Sequence, residues 1–154
     1  MNRIFQQTLP ALILGIFFSM AAHAQVTVNS QYVRATIPGT NVSSAYMEIT
    51  NDSEHSVTLI GASAKVSDKV EIHEHVMNDG MMKMQKRDSL EIPANSKVVL
   101  QPSGYHLMIF NLDERLNDGD EVRISLQFKE QPAKVVVFPV QSIKREKAAH
   151  HHHH

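Results

Sequence analysis

From residue 26 onward, short runs rich in Val, Ile, Thr, Tyr and Phe are broken by clusters of Gly, Pro, Asn, Asp and Ser. That is the hydrophobic pattern of strands joined by turns, and no stretch carries a convincing amphipathic helical period. The predicted strands are Val26–Val33, Ser44–Thr50, Val57–Ala64, Lys69–Met77, Met81–Gln85, Leu90–Pro93, Lys97–Gln101, Tyr105–Leu112, Glu121–Phe128 and Lys134–Val140. Turn clusters at Pro38-Gly39-Thr40-Asn41, Asn51-Asp52-Ser53, Asn78-Asp79-Gly80 and Asn117-Asp118-Gly119-Asp120 punctuate them. The fold class is therefore all-β, a sandwich or barrel. Gly61, alone inside the third run, predicts a bulge or a close backbone approach, and Pro139 predicts an edge or a bend in the last.

Successive side chains on a strand point to opposite faces, so the runs also assign faces. Ala45, Met47 and Ile49 share one face against Ser44, Tyr46 and Glu48. In the fourth run Val70, Ile72, Glu74 and Val76 share one face, and Glu71, His73, His75 and Met77 share the other. Leu107 and Ile109 likewise oppose His106, Met108 and Phe110. His73 and His106 thus project away from the aliphatic faces of their strands. Asp79-Gly80 suits backbone at positive φ and folds Met81–Gln85 back along the preceding strand. One hairpin then gathers His73, His75, Met77, Met81, Met82 and Met84.

The first 24 residues change the picture of the chain's ends. Arg3, an apolar run from Leu9 to Met20, and Ala22-His23-Ala24 before Gln25 read as a secretory signal, with a run too short for comfortable membrane spanning. The expected organisation is a leader (1–24), one soluble exported domain (25–143) and a charged, histidine-ended tail (144–154) that is either native or a purification tag. Without Arg3, the 15 Lys and Arg fall to 14 against 16 Asp and Glu. That slight acidity argues against nucleic acid as a partner, because such binding needs a basic surface. There is no cysteine, so an exported chain of this kind has no disulfide framework and any sulfur ligand must be a methionine.

The candidate chemistry is His73, ten residues, Met84, twenty-one residues, His106, one residue, Met108. Taken singly, a histidine at either position is more often a hydrogen-bonded residue than a ligand, Met47 reads as core filling, and His55 reads as a solvated loop residue. Glu71 and Glu74 read as solvated charges or as supporting partners of His73. Three methionines in four residues around a polar turn are hard to bury, and exposed thioethers oxidise. Imidazole with thioether suits a soft metal such as Cu(I); zinc prefers histidine with cysteine or carboxylate, and a blue-copper site needs a cysteine. No Gly-x-Ser-x-Gly elbow or phosphate-cradling glycine loop is present. A metal-free binding module, a copper-dependent oxidoreductase and a copper storage or resistance protein are all open readings of such residues.

These residues resemble the PCuAC family of periplasmic copper chaperones, whose signature spacing His73, Met84, His106 and Met108 match without insertion or deletion. Tyr32-Val33-Arg34-Ala35, Leu59-Ile60-Gly61-Ala62-Ser63, Gly80-Met81-Met82-Lys83-Met84 and Gly104-Tyr105-His106-Leu107-Met108 extend the resemblance over nearly the whole exported chain. The resemblance implies a cupredoxin-like Greek-key β-sandwich or barrel that carries Cu(I) on a surface site formed by those four ligands. It further implies a non-enzymatic role in the periplasm: delivery to the CuA centre in subunit II of cytochrome c oxidase, with Sco-type oxidoreductases as partners. His75, Met77, Met81 and Met82 fall outside the motif and are candidates for auxiliary or transfer ligands. Some relatives carry a Met- and His-rich extension that binds further copper, and the terminal histidines here are a candidate Cu(II) site.

Overall fold

The computed structural model describes residues 25–143, so the expected leader and the tail from 144 onward lie outside the described residues. Ten strands follow in order: β1 (Val26–Arg34), β2 (Ser43–Asn51), β3 (Val57–Ala64), β4 (Lys69–Asn78), β5 (Met81–Arg87), β6 (Leu90–Ile92), β7 (Ser96–Leu100), β8 (Tyr105–Phe110), β9 (Glu121–Phe128) and β10 (Lys134–Gln141). Hydrogen bonds connect them along the path β5-β4-β8-β2-β1-β10-β9-β3-β6, with β7 pairing a further stretch of β2. The sheet closes on itself as a seven-strand barrel, and the Ala64–Ser67 bridge ties the end of β3 to the turn that leads into β4. The all-β expectation, cupredoxin-like in type, is borne out.

Local chemistry sets the bends. β1 carries one extra residue against β2 between Asn29 and Tyr32, and Ser30 takes φ +52 there. A bulge of one residue shifts the alternation, so Val26 before it and Val33 after it both enter the core. Gly61 marks a register shift in the β3–β9 pairing, as the sequence predicted; a side chain there would press on Gln127 Oε1 at 2.8 Å. Asp79 (φ +52) and Gly80 (φ +76) form the two-residue turn joining β4 to β5, with Asn78 opposite Met81.

Pro139 departs from expectation. β10 is not an edge strand: β9 pairs it on one side and β1, in parallel, on the other. The β9 side stays bonded past Pro139, through the Val140 N–H to the Asp120 carbonyl, while the β1 pairing begins only at Val140–Val33, so the missing N–H falls one residue short of the β1 pairing.

The barrel interior is apolar. Val33, Ala45, Met47, Ile49, Leu59, Ile92, Leu107, Ile109, Ile124, Leu126, Phe138 and Val140 are all buried, which bears out Met47 as core filling. One buried polar side chain, Asn51, ties the lid of this core. Its amide donates to the carbonyls of His55, Ile92 and Pro93, and its oxygen accepts from the Ser53 amide and hydroxyl. His55 itself is exposed, as the sequence suggested.

Candidate metal centre

The face of β4 and β8 that points away from Leu107, Ile109 and Ile72 is organised in cross-strand rows. In antiparallel pairing, residues directly opposite lie on the same face with Cβ atoms roughly 4.5–5.5 Å apart. One row runs from Tyr46 of β2 through His106 and His73 to Lys86 of β5. The row on one side holds Ser44, Met108 and Glu71; the row on the other holds His75 opposite Met84. Nearer the hairpin tip, Met77 opposes Met82.

His106 lies at the centre of this face and is only 1% exposed. Its ring stacks on His75 at 4.9 Å between centroids and is tilted to His73 at 5.9 Å and to Tyr46 at 6.3 Å. The outward direction expected from alternation holds, but the surface exposure expected of the site does not. β8 has β4 on one flank and β2 on the other, and both supply rings that pack against His106. Burial pushes the His106 pKa down from its usual value, against the raising effect of its bond to Gly104.

Hydrogen bonds assign the nitrogens. His106 Nδ1 donates to the Gly104 carbonyl at 3.1 Å, which leaves Nε2 as the ring's lone-pair nitrogen. The same carbonyl accepts the His75 backbone N–H at 3.2 Å, so one peptide group locks both histidines in place. His73 Nε2 donates to Glu71 Oε2 at 2.9 Å, leaving Nδ1 with the lone pair. That Nδ1 is buried without a hydrogen-bond partner, and so is Nδ1 of His75. Buried polar atoms are rarely left unpaired, and unpaired ones mark sites where something else binds or strain is stored.

Glu71 is not a free surface charge. It accepts from His73 and pairs with Lys86 at 3.0 Å and Lys69 at 3.5 Å. The His73 hydrogen bond first, and then Lys86, hold its carboxyl down at a pKa of about 2. Glu74 points to the other face and binds the Arg87 guanidinium. Of the two flanking acids, only Glu71 supports His73.

The sulfurs sit at different depths. Met108 is half-buried, and its Sδ accepts from the Ser44 hydroxyl at 3.6 Å. Met84 lies on β5, which pairs with β4 alone, and is 47% exposed. The structure brings His73, His106 and Met108 into adjoining rows and sets Met84 across from His75, diagonal to His73; the residue facing His73 is Lys86. Reasoning from sequence missed Ser44, Tyr46 and the Gly104 carbonyl. Ser44 and Tyr46 had been placed on one face, but nothing in the chain said that β8 would lie beside them.

Among the described residues, no three His, Cys, Asp or Glu side chains are placed to hold a metal ion together. A metal on this face must therefore also use thioethers. Two lone-pair imidazole nitrogens beside methionine sulfurs make a neutral donor set suited to a soft monovalent metal and poor for magnesium, calcium or zinc.

Barrel and face together define a cupredoxin-like domain bearing an imidazole and thioether cluster at the side of its sheet. The chain belongs to the LpqE-like family, described as "Putative lipoprotein LpqE-like", whose model matches residues 26–140. It is similar to "Putative lipoprotein Lxx21020" of Leifsonia xyli subsp. xyli, with 27% identity over 146 residues and 87% of each chain covered. Among solved structures, Cu(I)-DR1885 from Deinococcus radiodurans is 28% identical over 79% of this chain and 83% of that one, with a TM-score of 0.62. The copper-bound PCuAC domain of PmoF2 shares the fold, with a TM-score of 0.65 at 18% identity over 78% of this chain and 98% of the domain. The PCuAC resemblance read from the sequence is borne out.

Proposed function

We propose that this protein is an exported carrier of Cu(I) that binds the ion through His73, His106, Met108 and Met84. The observation that carries this reading is the buried, partnerless Nδ1 of His73, directly across the strand pair from His106 and one row from Met108. A bound soft cation would satisfy that nitrogen with no change in the fold. The Cu(I) form of DR1885 and the copper-bound PmoF2 domain support copper as the metal. The family's lipoprotein description supports export, with residues 1–24 as the leader, and no described helix is long and apolar enough to cross a membrane.

The residues divide the work. Gly104 and Glu71 each hold one ring nitrogen and so present the other for ligation, the usual role of groups behind metal-binding histidines. Ser44 orients the Met108 thioether. Burial keeps His106 neutral and ready to ligate further into acid than a free imidazole. Met84, at the exposed edge, is the ligand that an acceptor reaches first. Four neutral ligands leave the charge of Cu(I) uncompensated, so the ion passes downhill to thiolate ligands. That direction fits delivery to the CuA centre of cytochrome c oxidase, with Sco-type partners, and the carrier itself performs no catalysis.

Competition against a Cu(I) chelator tests binding: wild type takes up copper, and His106→Ala loses at least tenfold in affinity. Incubating the loaded protein with an oxidase copper domain tests delivery. Copper that stays on the carrier despite an empty CuA site identifies storage instead.

A further inference from the structure

The hairpin arm of β4 and β5 continues the donor pattern outward beyond the four residues of the motif. We propose that His75, Met77 and Met82 form a second soft-metal site, an outer station for a second Cu(I) ion; the proposal builds on the inner site described above.

The register makes the assignment. Met77 pairs directly with Met82, and His75 pairs with Met84, so all four side chains share the face that carries His73 and His106. Met81 pairs with Asn78 and belongs to the opposite face, which removes it from the set despite its place in the same methionine run. The thioethers of Met77 and Met82 are open, at 67% and 52% exposure. The imidazole of His75 offers a buried Nδ1 with no hydrogen-bond partner, an atom for which the inner site has no use. Two thioethers and one imidazole give a three-coordinate, neutral set for a soft monovalent ion.

Position supplies a reason for two stations. Alternate residues on one strand are about 7 Å apart, so the Met77–Met82 row and the His73–His106 row are separated by the single row of His75 and Met84. His75 lies between the two ends of this path: Met77 is the next residue on its face of the strand, and its own ring stacks on that of His106 at 4.9 Å. An ion held at the tip can exchange one ligand at a time for Met84 and then for the inner imidazoles. Each bond to copper that breaks is replaced by another, and no electron moves. The outer station, with three ligands of which two are exposed thioethers, binds more weakly than the inner one and fills second.

Silver(I) is a redox-stable probe with the same ligand preference, and methionine methyl NMR of the exported protein reads each sulfur separately. The first equivalent moves the methyls of Met84 and Met108; the second moves those of Met77 and Met82; the core residue Met47 stays still throughout. In the double variant Met77→Leu, Met82→Leu, the first stage is unchanged, and His75→Phe weakens the Met77 and Met82 response at least tenfold. If Met84 and Met108 move while Met77 and Met82 do not, the outer station is refuted and the inner site stands. All four methyls moving together with the first equivalent also refutes it, because that describes one site. Failure of Met84 and Met108 to move refutes the inner site itself.

Discussion

β4 passes through two environments within a few residues. At its middle, His73 faces His106 on β8, with β2 beyond; at its far end, Met77 faces Met82 on β5, with no strand beyond. The alternation along β4 is the same in both places. What differs is the number of neighbouring strands, and it turns one pair into buried rings with an unpartnered nitrogen and the other into exposed thioethers. The inner end is therefore rigid and shielded, as a holding site needs, and the outer end is open, as an exchange site needs.

The sharpest way to break this comparison is within β8, where adjacent residues face opposite ways. Leu107 is fully buried in the barrel, and Leu107→Ala should cost about 2–5 kcal/mol of stability, read from urea unfolding, with copper binding retained under native conditions. His106→Ala should cost roughly 1–3 kcal/mol, through its lost bond to Gly104 and the space left among Tyr46, His73 and His75, and should remove Cu(I) binding. A side chain that merely pointed away from the aliphatic face would be lost at little structural cost, and the burial of His106 is what raises it. Equal copper affinity in wild type and His106→Ala would mean that the shielded end of β4 is not the holding site.

Much of this was legible in the chain, and the limits have a physical pattern. Strand positions, the Gly61 bulge and the Asp79-Gly80 turn are local, set by alternation and by φ preferences that neighbouring residues carry. Even the pairing of His75 with Met84 follows from the turn: once Asn78 lies opposite Met81, counting back gives the rest of the register. The turn alone brings Met84 back along β4, and the count sets it opposite His75 with Lys86 opposite His73. By contrast, the His73–His106 pairing joins strands that no short turn connects, and its burial depends on β2 arriving alongside. No local pattern encodes that contact, so the motif spacing indicated the ligands while leaving their depth and their supporting bonds unread.

A smaller effect should separate support from ligation. Glu71 touches His73 and sits across from Met108 without belonging to the donor set. Glu71→Gln should lower Cu(I) affinity about 10–100-fold, the range for groups that orient a metal-bound histidine. The same substitution should flatten the acid limb of stability. Because the folded-state pKa of Glu71 is held at about 2, below its ordinary 4.5, its stabilising contribution is complete above pH 4.5 and is lost as pH falls through about 2. Urea midpoints between pH 5 and pH 2 should drop more steeply in wild type than in Glu71→Gln. Parallel curves would detach Glu71 from His73, Lys86 and Lys69 as a stabilising group.

The smallest effect belongs to the open end of β4. Met77 and Met82 lie on the edge arm, expose more than half their surface and have no place in the barrel core. Replacing either by leucine keeps the volume and the apolar character and removes only the sulfur. Stability should therefore change by less than about 0.5 kcal/mol, as at other exposed positions away from special features. Met47→Leu is the informative counterpart, since Met47 is buried between Leu100 on β7 and the rest of the core. A shape change there should cost up to about 1.5 kcal/mol. If Met77→Leu or Met82→Leu matched that loss in urea unfolding, the arm would be packing against something in solution, and its thioethers would not be free to meet an incoming ion.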